Sequence, residues 1–512
     1  MSGTSHRISI LLLLFCVLTC APANASPRHP GLDSLNKDSR ELFLTSMKWG
    51  DLSWQERAGL CDVPVSGAVD VHMGNKFLVR ESTWYALGLL LRDQPGDRAR
   101  AARILNTALN EQYRDPGKPW DGTFRRTPSE PEPGADAVMW RDYDPNWREF
   151  IGTTFAIILN EYPDRIPPDL SPRMIEAIDH AVAGEIKQGR LVPSYTNIAL
   201  MYGFLWNFAA VDGNRPDWLS PSVQWQENVY NLFKQHDAFS EYNSPTYSGA
   251  DIFGLALWRD YGFTSRMRSI GGEMEASLWR TTADLYNANL RNISGPYDRS
   301  YGMDMQNYVS VMGLWLRTVL SADQAPLPKF DPPVDHVADL WIVPALVVLD
   351  TRIPADAMKR FRKFPGEHQV RRQITDQRIA TAWIGENVIY GGEITNHSAF
   401  VDDEGHFHPV TVQWLTPSGN IGWIRISRCP PIDASADKQG IVISAKGDLS
   451  FRISVPGATA GTANVNEWNL PGLVIHVDVA YKTFKAEQHG QFLDVSYTGI
   501  SKMALSIKSL GG

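Results

Sequence analysis

The chain has 512 residues, with 49 basic against 57 acidic side chains, a formal net charge of -8 and no basic stripe, which makes nucleic acid and anionic membranes poor partners. Four cysteines in this length are no disulfide scaffold, and the length exceeds one ordinary core, so two domains are expected. An acidic polysaccharide stays compatible with the balance, because local placement of Arg and Asn decides recognition within a cleft, and the 17 Trp and 17 Tyr offer rings on which sugars stack, although most aromatic side chains in any protein are core.

Arg7, the apolar run 8–17 and the small residues Ala23-Asn24-Ala25 read as a secretory signal peptide over 1–25. The run is shorter than the roughly 20 residues that span a bilayer, so a soluble, secreted, extracellular chain is expected, and a monomer. Cys16 and Cys20 leave with the peptide; Cys61 and Cys429 remain, either as one bridge or as two buried thiols. Asn292-Ile-Ser and Asn396-His-Ser are glycosylation sequons if their loops are exposed.

Apolar residues then recur at helical spacing over 75–92, 97–112, 147–161, 171–188, 197–211, 222–236, 249–261, 269–289 and 304–321. Ile198, Met201, Tyr202, Leu205 and Phe208 share one broad face of the segment 197–211. Successive helices with short connectors predict an (α/α) toroid, an incomplete barrel, over 26–324. The Pro-rich stretch 325–336 reads as a linker. Beyond it, short β-branched runs at 380–384, 388–390, 410–414, 421–426, 440–444, 449–453 and 473–479 predict an antiparallel β-sandwich over 337–512, hence a multidomain α and β chain.

The stretch 239–249, Phe-Ser-Glu-Tyr-Asn-Ser-Pro-Thr-Tyr-Ser-Gly, places two phenols, a carboxylate and a carboxamide between two helical segments. Three outlying segments add further groups: Asn197, the run Asn146-Trp147-Arg148, and Arg299 with Tyr301 in Tyr-Asp-Arg-Ser-Tyr. Cleaving a glycosidic bond beside a uronate by β-elimination needs one group to neutralise the carboxylate, a base for the C5 proton and an acid for the leaving oxygen. Carboxamide, phenol and guanidinium together meet these needs. Tyr247 is the first candidate for the acid, and for base and acid in one if Arg299 favours its phenolate. Tyr242 stands where a base would, and Glu241 and Asn243 flank it as substrate-binding groups. Asn197 suits a uronate oxygen, and Arg299 can grip a carboxylate through two parallel hydrogen bonds. Trp147 offers a stacking platform, whereas Trp206 and Trp225 read as core.

The order Phe239, Tyr242, then Tyr247-Ser-Gly resembles the catalytic loop of the chondroitin AC and hyaluronate lyases, where His stands at the position of Tyr242 and Tyr-Thr-Gly follows. Asn197 falls 45 residues before Tyr242, where that family has its neutralising Asn. Arg299, 52 residues after Tyr247, falls where it has an active-site Arg, and Asn146-Trp147 is similar to its aromatic patch. The resemblance covers roughly residues 140–305 and implies a toroid polysaccharide lyase acting without a cofactor on an acidic polysaccharide. Tyr242 in place of His, a shorter chain and a smaller β part point toward other toroid lyases, those acting on alginate or glucuronan.

Two other readings stand beside it. An inverting α/α-barrel glycoside hydrolase would draw two carboxylates from Asp251, Glu241, Asp298 and Glu149, and a non-catalytic carbohydrate-binding protein would keep only the cleft. His397, His406 and His408, with Asp402, Asp403 and Glu404, match no zinc spacing, so no metal is expected; a loop reaching over the cleft is the better use for them. A phosphate loop, a Cys-pair zinc site and a serine-hydrolase elbow are all missing from the sequence.

Overall fold

The computed structural model describes residues 30–62, 77–330, 334–397 and 405–510. The expected signal peptide and Asp402, Asp403 and Glu404 lie outside these residues. Each predicted helical segment forms a helix: α2 (Val79–Arg92), α3 (Asp97–Asn110), α4 (Trp147–Glu161), α5 (Leu170–Gln188), α6 (Thr196–Val211), α7 (Leu219–Lys234), α8 (Tyr247–Tyr261), α9 (Ser265–Leu285) and α10 (Val311–Arg317). They are joined by α1 (Lys37–Ser53), α11 (Val343–Leu349) and α12 (Ala355–Arg362). Helix α5 shows the local logic: Leu170, Met174, Ala177, Ile178, Ala181 and Val182 recur on one buried face, and the helix stops at Gly189, whose φ of 58° suits a residue without Cβ. Helix α6 departs from the single-face expectation. Ala199, Leu200, Phe204 and Asn207 are buried as well as Ile198, Met201, Tyr202, Leu205 and Phe208, because α4, α5, α7 and α8 all pack against it.

The packing follows a circuit. Helix α2 contacts α4, α4 contacts α6, α6 contacts α8, α8 contacts α10 and α11, and α11 returns to α2, while α3, α5, α7 and α9 each pack on the circuit helix that precedes them in the chain. The Pro-rich stretch expected as a linker belongs to this half. Ala325 is fully buried and Leu327 nearly so, and the Val309 N–H donates to the Asp335 carbonyl at 2.9 Å. Proline stops a helix without freeing the chain from the core, so helical structure continues to Arg362, past the boundary expected at 337.

The rest is antiparallel sheet. Strands β1 (Trp54–Gln55), β2 (Leu60–Asp62) and β3 (Phe77–Leu78) form a small sheet, and β4 (Tyr286–Asn287) pairs with β5 (Asn292–Ile293). The large eleven-stranded sheet holds β6 (His368–Gln373), β7 (Ile379–Ile384), β8 (Val388–Ile394), β9 (Val410–Leu415), β10 (Ile421–Arg428), β11 (Ile432–Asp437), β12 (Gly440–Ser454), β13 (Glu467–Leu470), β14 (Leu473–Val479), β15 (Thr483–His489) and β16 (Phe492–Ser509). The runs 440–444 and 449–453, read as two strands, are one. Its register shifts around Gly447, and it serves β11 with one end and β10 with the other. Asp433 of β11 stands opposite Ile394 of β8, so the pairings β8–β9–β10–β12–β11 run round to β8 again. Inside them lies a second core that includes Val412, Trp414, Phe451, Trp468 and Val495.

The sheet is docked on the helical half by its backbone. A Cβ at Gly391 would lie 1.8 Å from the Gly295 carbonyl oxygen, so only glycine lets β8 lie against the 295–296 backbone. Tyr297 and His408 exchange backbone hydrogen bonds of 3.1 and 2.9 Å, and the Ser300 N–H donates to the His406 carbonyl at 3.0 Å. Asn292, a sequon residue, is wholly buried in this region and donates to the Met303 carbonyl at 3.2 Å, so the folded chain cannot carry a glycan there. Asn396 is exposed.

Cys61 and Cys429 are free thiols rather than a bridge, and burial pushes them up to about 12 and about 11. With thiolates this rare at pH 8, Cys61 in the native chain is expected to resist a thiol reagent, to react only after denaturation, and Cys429 to react slowly. Immediate labelling of both in the native protein would contradict this.

Candidate active site

The chain leaves α7 at Lys234, packs Phe239 on Phe233 with ring centroids 4.8 Å apart, and enters α8 at Tyr247. Two serines build that entry: the Tyr247 N–H donates to Ser244 Oγ at 3.0 Å and the Ser244 N–H donates to Ser248 Oγ at 3.1 Å. Gly249 serves packing, since a Cβ there would lie 2.4 Å from the Met312 backbone of α10. The loop therefore presents Tyr247 at the first turn of a helix whose far side is locked.

Tyr247 and Tyr301 share a hydrogen bond between their hydroxyls. The Arg299 guanidinium lies over the Tyr247 ring, 4.3 Å from its centroid, and 5.9 Å from that of Tyr301. Its Nη1 is 3.9 Å from Glu241 Oε1, with the two side chains 30% and 22% exposed, so this pair is open to a ligand. Glu241 Oε2 accepts from Thr196 Oγ1 at 3.0 Å. Tyr301 stacks on His336 at 4.4 Å and meets the edge of His406 at 4.7 Å. Groups from α6, the α7–α8 loop, the 294–301 segment, the Pro-rich stretch and the sheet thus meet at one place.

Asn146 is joined to Tyr195, the residue before Thr196. It donates to the Tyr195 hydroxyl at 3.4 Å and accepts from Arg190 Nη1 at 3.1 Å. Trp147 lies under Arg80, whose guanidinium carbon is 4.3 Å from the indole centroid. Asn197 is only 2% exposed, and its amide reaches Thr196 Oγ1 at 3.4 Å, so it touches the cluster through Thr196.

Three expected residues have other work. Tyr242 is buried, its backbone N–H donates to Asp298 at 2.7 Å, and its hydroxyl, buried too, has no partner among the described residues; that burial, which also pushes the phenol up, keeps it out of a substrate's reach. Arg148 is 1% exposed, pairs with Glu185 at 2.7 Å and donates to the carbonyls of Pro119 and Asp121, so it fastens α4 to α5 rather than binding substrate. Asn243, at φ 51°, spends both amide hydrogens on the carbonyls of Ser294 and Pro296 at 2.7 Å each. The sequence reading missed Tyr195, Thr196, Arg190 and His336. Thr196 and Tyr195 directly precede Asn197 and were within reach; His336 was hidden by the linker assignment.

Burial is the largest influence on Tyr247 and Tyr301 adds to it, so the Tyr247 phenol is held well above its ordinary value although Arg299 pulls it down. Arg299 thus does not outweigh burial, and the phenol stays protonated rather than becoming the phenolate that the cation suggested. Burial also raises the Glu241 carboxyl, against the pull of Arg299 and Thr196.

The carboxylates a hydrolase would add are paired or buried away from the cluster surface. Asp298 is paired with Arg378, Asp251 is 1% exposed, and Glu149, equally buried, is raised by burial and by Glu185. No group of three His, Cys, Asp or Glu side chains suited to a metal occurs among the described residues, and none of their helices is long and apolar enough to cross a membrane.

His408 is buried against Arg425, and burial first, that cation second, lower it to about 3. The folded chain therefore binds fewer protons than the unfolded chain between pH 6.5 and about 3, and stability present above pH 6.5 is lost as pH falls through that window. We expect His408→Asn to flatten the fall of the unfolding free energy below pH 6.5 by up to roughly 1.4 kcal/mol per pH unit, read from urea melts across pH. Parallel pH curves for variant and parent would refute this.

A helical half docked on an antiparallel sheet, with phenols, a guanidinium and a half-buried carboxylate where they meet, defines a two-part protein with a polar site at the junction. The chain belongs to the family described as Domain of unknown function (DUF8769), which matches residues 40–351, from α1 to the end of α11. No curated protein matches it. Among solved structures, a heparinase III is 9% identical with a TM-score of 0.39, over 84% of this chain and 77% of that one. A second heparinase III, with methylated lysines, gives 9% and 0.35 over 96% and 87%, and the endoglucanase CelQ from Clostridium thermocellum with cellobiose and cellotriose gives 9% and 0.29 over 93% of each chain.

Proposed function

We propose that the chain is a secreted polysaccharide lyase that cleaves a uronate-containing polysaccharide by β-elimination, and that the helical circuit is an (α/α) toroid whose rim holds the site. The observation that carries this reading is the phenol pair Tyr247–Tyr301 beneath the Arg299 guanidinium. Arg299 binds the uronate carboxylate and makes the C5 proton acidic. A base takes that proton, its electrons form the C4–C5 double bond, the C4–O4 bond breaks, and Tyr247 gives its proton to the departing oxygen while Tyr301 steadies the phenolate left behind. Asn197 holds Thr196, and through it Glu241, in place.

Two groups beside the phenols can act as base: Glu241, raised by burial, and His406, against Tyr301. Glu241→Gln and His406→Asn separate them by which one abolishes turnover. Hydrolysis is less well supported because Asp298 is paired with Arg378 and Asp251 and Glu149 are each only 1% exposed, which keeps a substrate from them.

The test is a panel of acidic polysaccharides, glucuronan, alginate and a glycosaminoglycan, followed in the ultraviolet. Appearance of a conjugated unsaturated uronate supports elimination. New reducing ends without that absorbance, or no cleavage of any member, would overturn it.

A further inference from the structure

On the face of the large sheet whose β9 residues Thr411 and Gln413 meet the helical half, Arg425 of β10 stands directly opposite Arg452 of β12, and Arg452 opposite Asp494 of β16. Like charges directly opposite on one face destabilise a sheet, so such a pair calls for an explanation. Arg452 is satisfied by Asp494, to which it gives two parallel hydrogen bonds of 2.8 Å. The next carboxylate along the row, Glu487 of β15, is held by Lys485 at 2.6 Å. Arg425 has no carboxylate of its own among the described residues. Its Nη1 donates to His408 Nε2 at 3.0 Å, and its Nε is buried with no partner among them. His408, lowered to about 3, is neutral and brings no negative charge to the guanidinium.

Aromatic surface flanks this cation. Trp423, two residues along the same face, has its ring centroid 5.8 Å from the Arg425 guanidinium carbon and 5.8 Å from the ring of Phe492, which in turn lies 5.2 Å from the Arg452 guanidinium. Trp423, Arg425, Arg452 and Phe492 are all partly exposed. The segment leading into β9 links this face to the candidate site: His408 touches Arg425, and His406, two residues earlier, touches Tyr301.

We propose that Arg425, with Trp423 and Arg452 beside it, is a second binding subsite, for the carboxylate or sulfate of an acidic sugar unit in a chain running from the candidate site onto the sheet. This rests on the proposed polysaccharide function. The anion takes the hydrogen bonds that Arg425 still has to give and relieves the repulsion from Arg452, while the apolar face of the sugar lies on the Trp423 ring.

Arg425→Met, which keeps most of the side chain's volume, is compared with the parent in the full-length protein, with unfolding temperature as the folding control. Binding to glucuronan, to a sulfated glycosaminoglycan and to neutral dextran is read by affinity electrophoresis in a Tyr247→Phe background, whose turnover is strongly reduced. We expect about tenfold weaker binding to at least one acidic polymer, no change on dextran, and, with Tyr247 restored, a higher KM for long chains at unchanged kcat and an unchanged KM for the shortest cleaved oligosaccharide. Loss on both acidic polymers identifies a general anion subsite; loss on one identifies carboxylate or sulfate. Equal affinity of the folded variant and its parent overturns the subsite and leaves the lyase reading standing, whereas Arg425-dependent binding by a protein that cleaves nothing overturns the lyase reading and leaves the subsite. A parent that binds neither acidic polymer overturns both.

Discussion

Replacing Tyr247 with Phe is expected to lower turnover of an acidic polysaccharide by roughly 10²–10⁴-fold, the usual contribution of a positioned general acid. The lost hydroxyl is bonded to that of Tyr301, and its phenol is held protonated by burial, so it has a proton to give throughout the neutral range. Phe keeps the ring under Arg299 and preserves the start of α8, because the bonds to Ser244 and Ser248 there use backbone groups and serine hydroxyls. The unfolding temperature should therefore stay close to the parent value while the ultraviolet signal of product formation falls. Tyr301→Phe should cost less, since its hydroxyl supports the phenolate rather than supplying the proton. A Tyr247→Phe protein with near-parental turnover would remove Tyr247 from the reaction.

Arg299→Lys is expected to reduce kcat/KM by roughly 10²–10³-fold, the scale of losing one preorganised group that stabilises developing charge. Lysine retains the positive charge but not the two parallel donors that match a carboxylate. The same change has a signature in pH. Arg299 opposes the burial that raises Glu241, so a cation held less closely lets the Glu241 carboxyl rise further. If Glu241 is the base, the acid limb of the rate profile moves to higher pH in Arg299→Lys and further in Arg299→Ala; if His406 is the base, the fall in rate comes without that movement. Full activity in Arg299→Ala would show that the uronate is neutralised elsewhere.

Both expectations depend on groups that lie 52 residues apart in the chain and 4.3 Å apart in space. The pairing of Tyr247 with Arg299 was legible as a motif order, and Tyr301 followed from its place two residues beyond. What the motif order could not show was the balance of burial against charge. Read from the sequence, Tyr247 was first an acid and, with a cation beside it, also a possible phenolate base; in the fold, loss of water outweighs the cation, which leaves support only for the acid. Tyr242, Asn243 and Arg148 illustrate the same limit. Polar residue types in a polar loop suggested ligand contacts, but each is consumed in joining one chain segment to another, since a buried polar group without a partner is expensive and the nearest partners are backbone carbonyls and carboxylates.

The pattern of apolar residues was enough for the helices over 79–317 and for most of the strands beyond 379, because periodicity reports which face each element buries and needs no knowledge of its neighbours. It was enough, too, to put the change from helix to sheet in the second half of the chain. The position of that change, at 362–368 rather than near 325, was decided by packing: α11 and α12 bury themselves against α2 and α9, and the Pro-rich stretch before α11 is held by the same core. That packing also stacks His336 on Tyr301 and brings His406, from the segment before β9, into edge contact with the same ring. Such encounters depend on where whole elements dock, which is set by the summed burial of many side chains and leaves no local mark on the few that carry the chemistry.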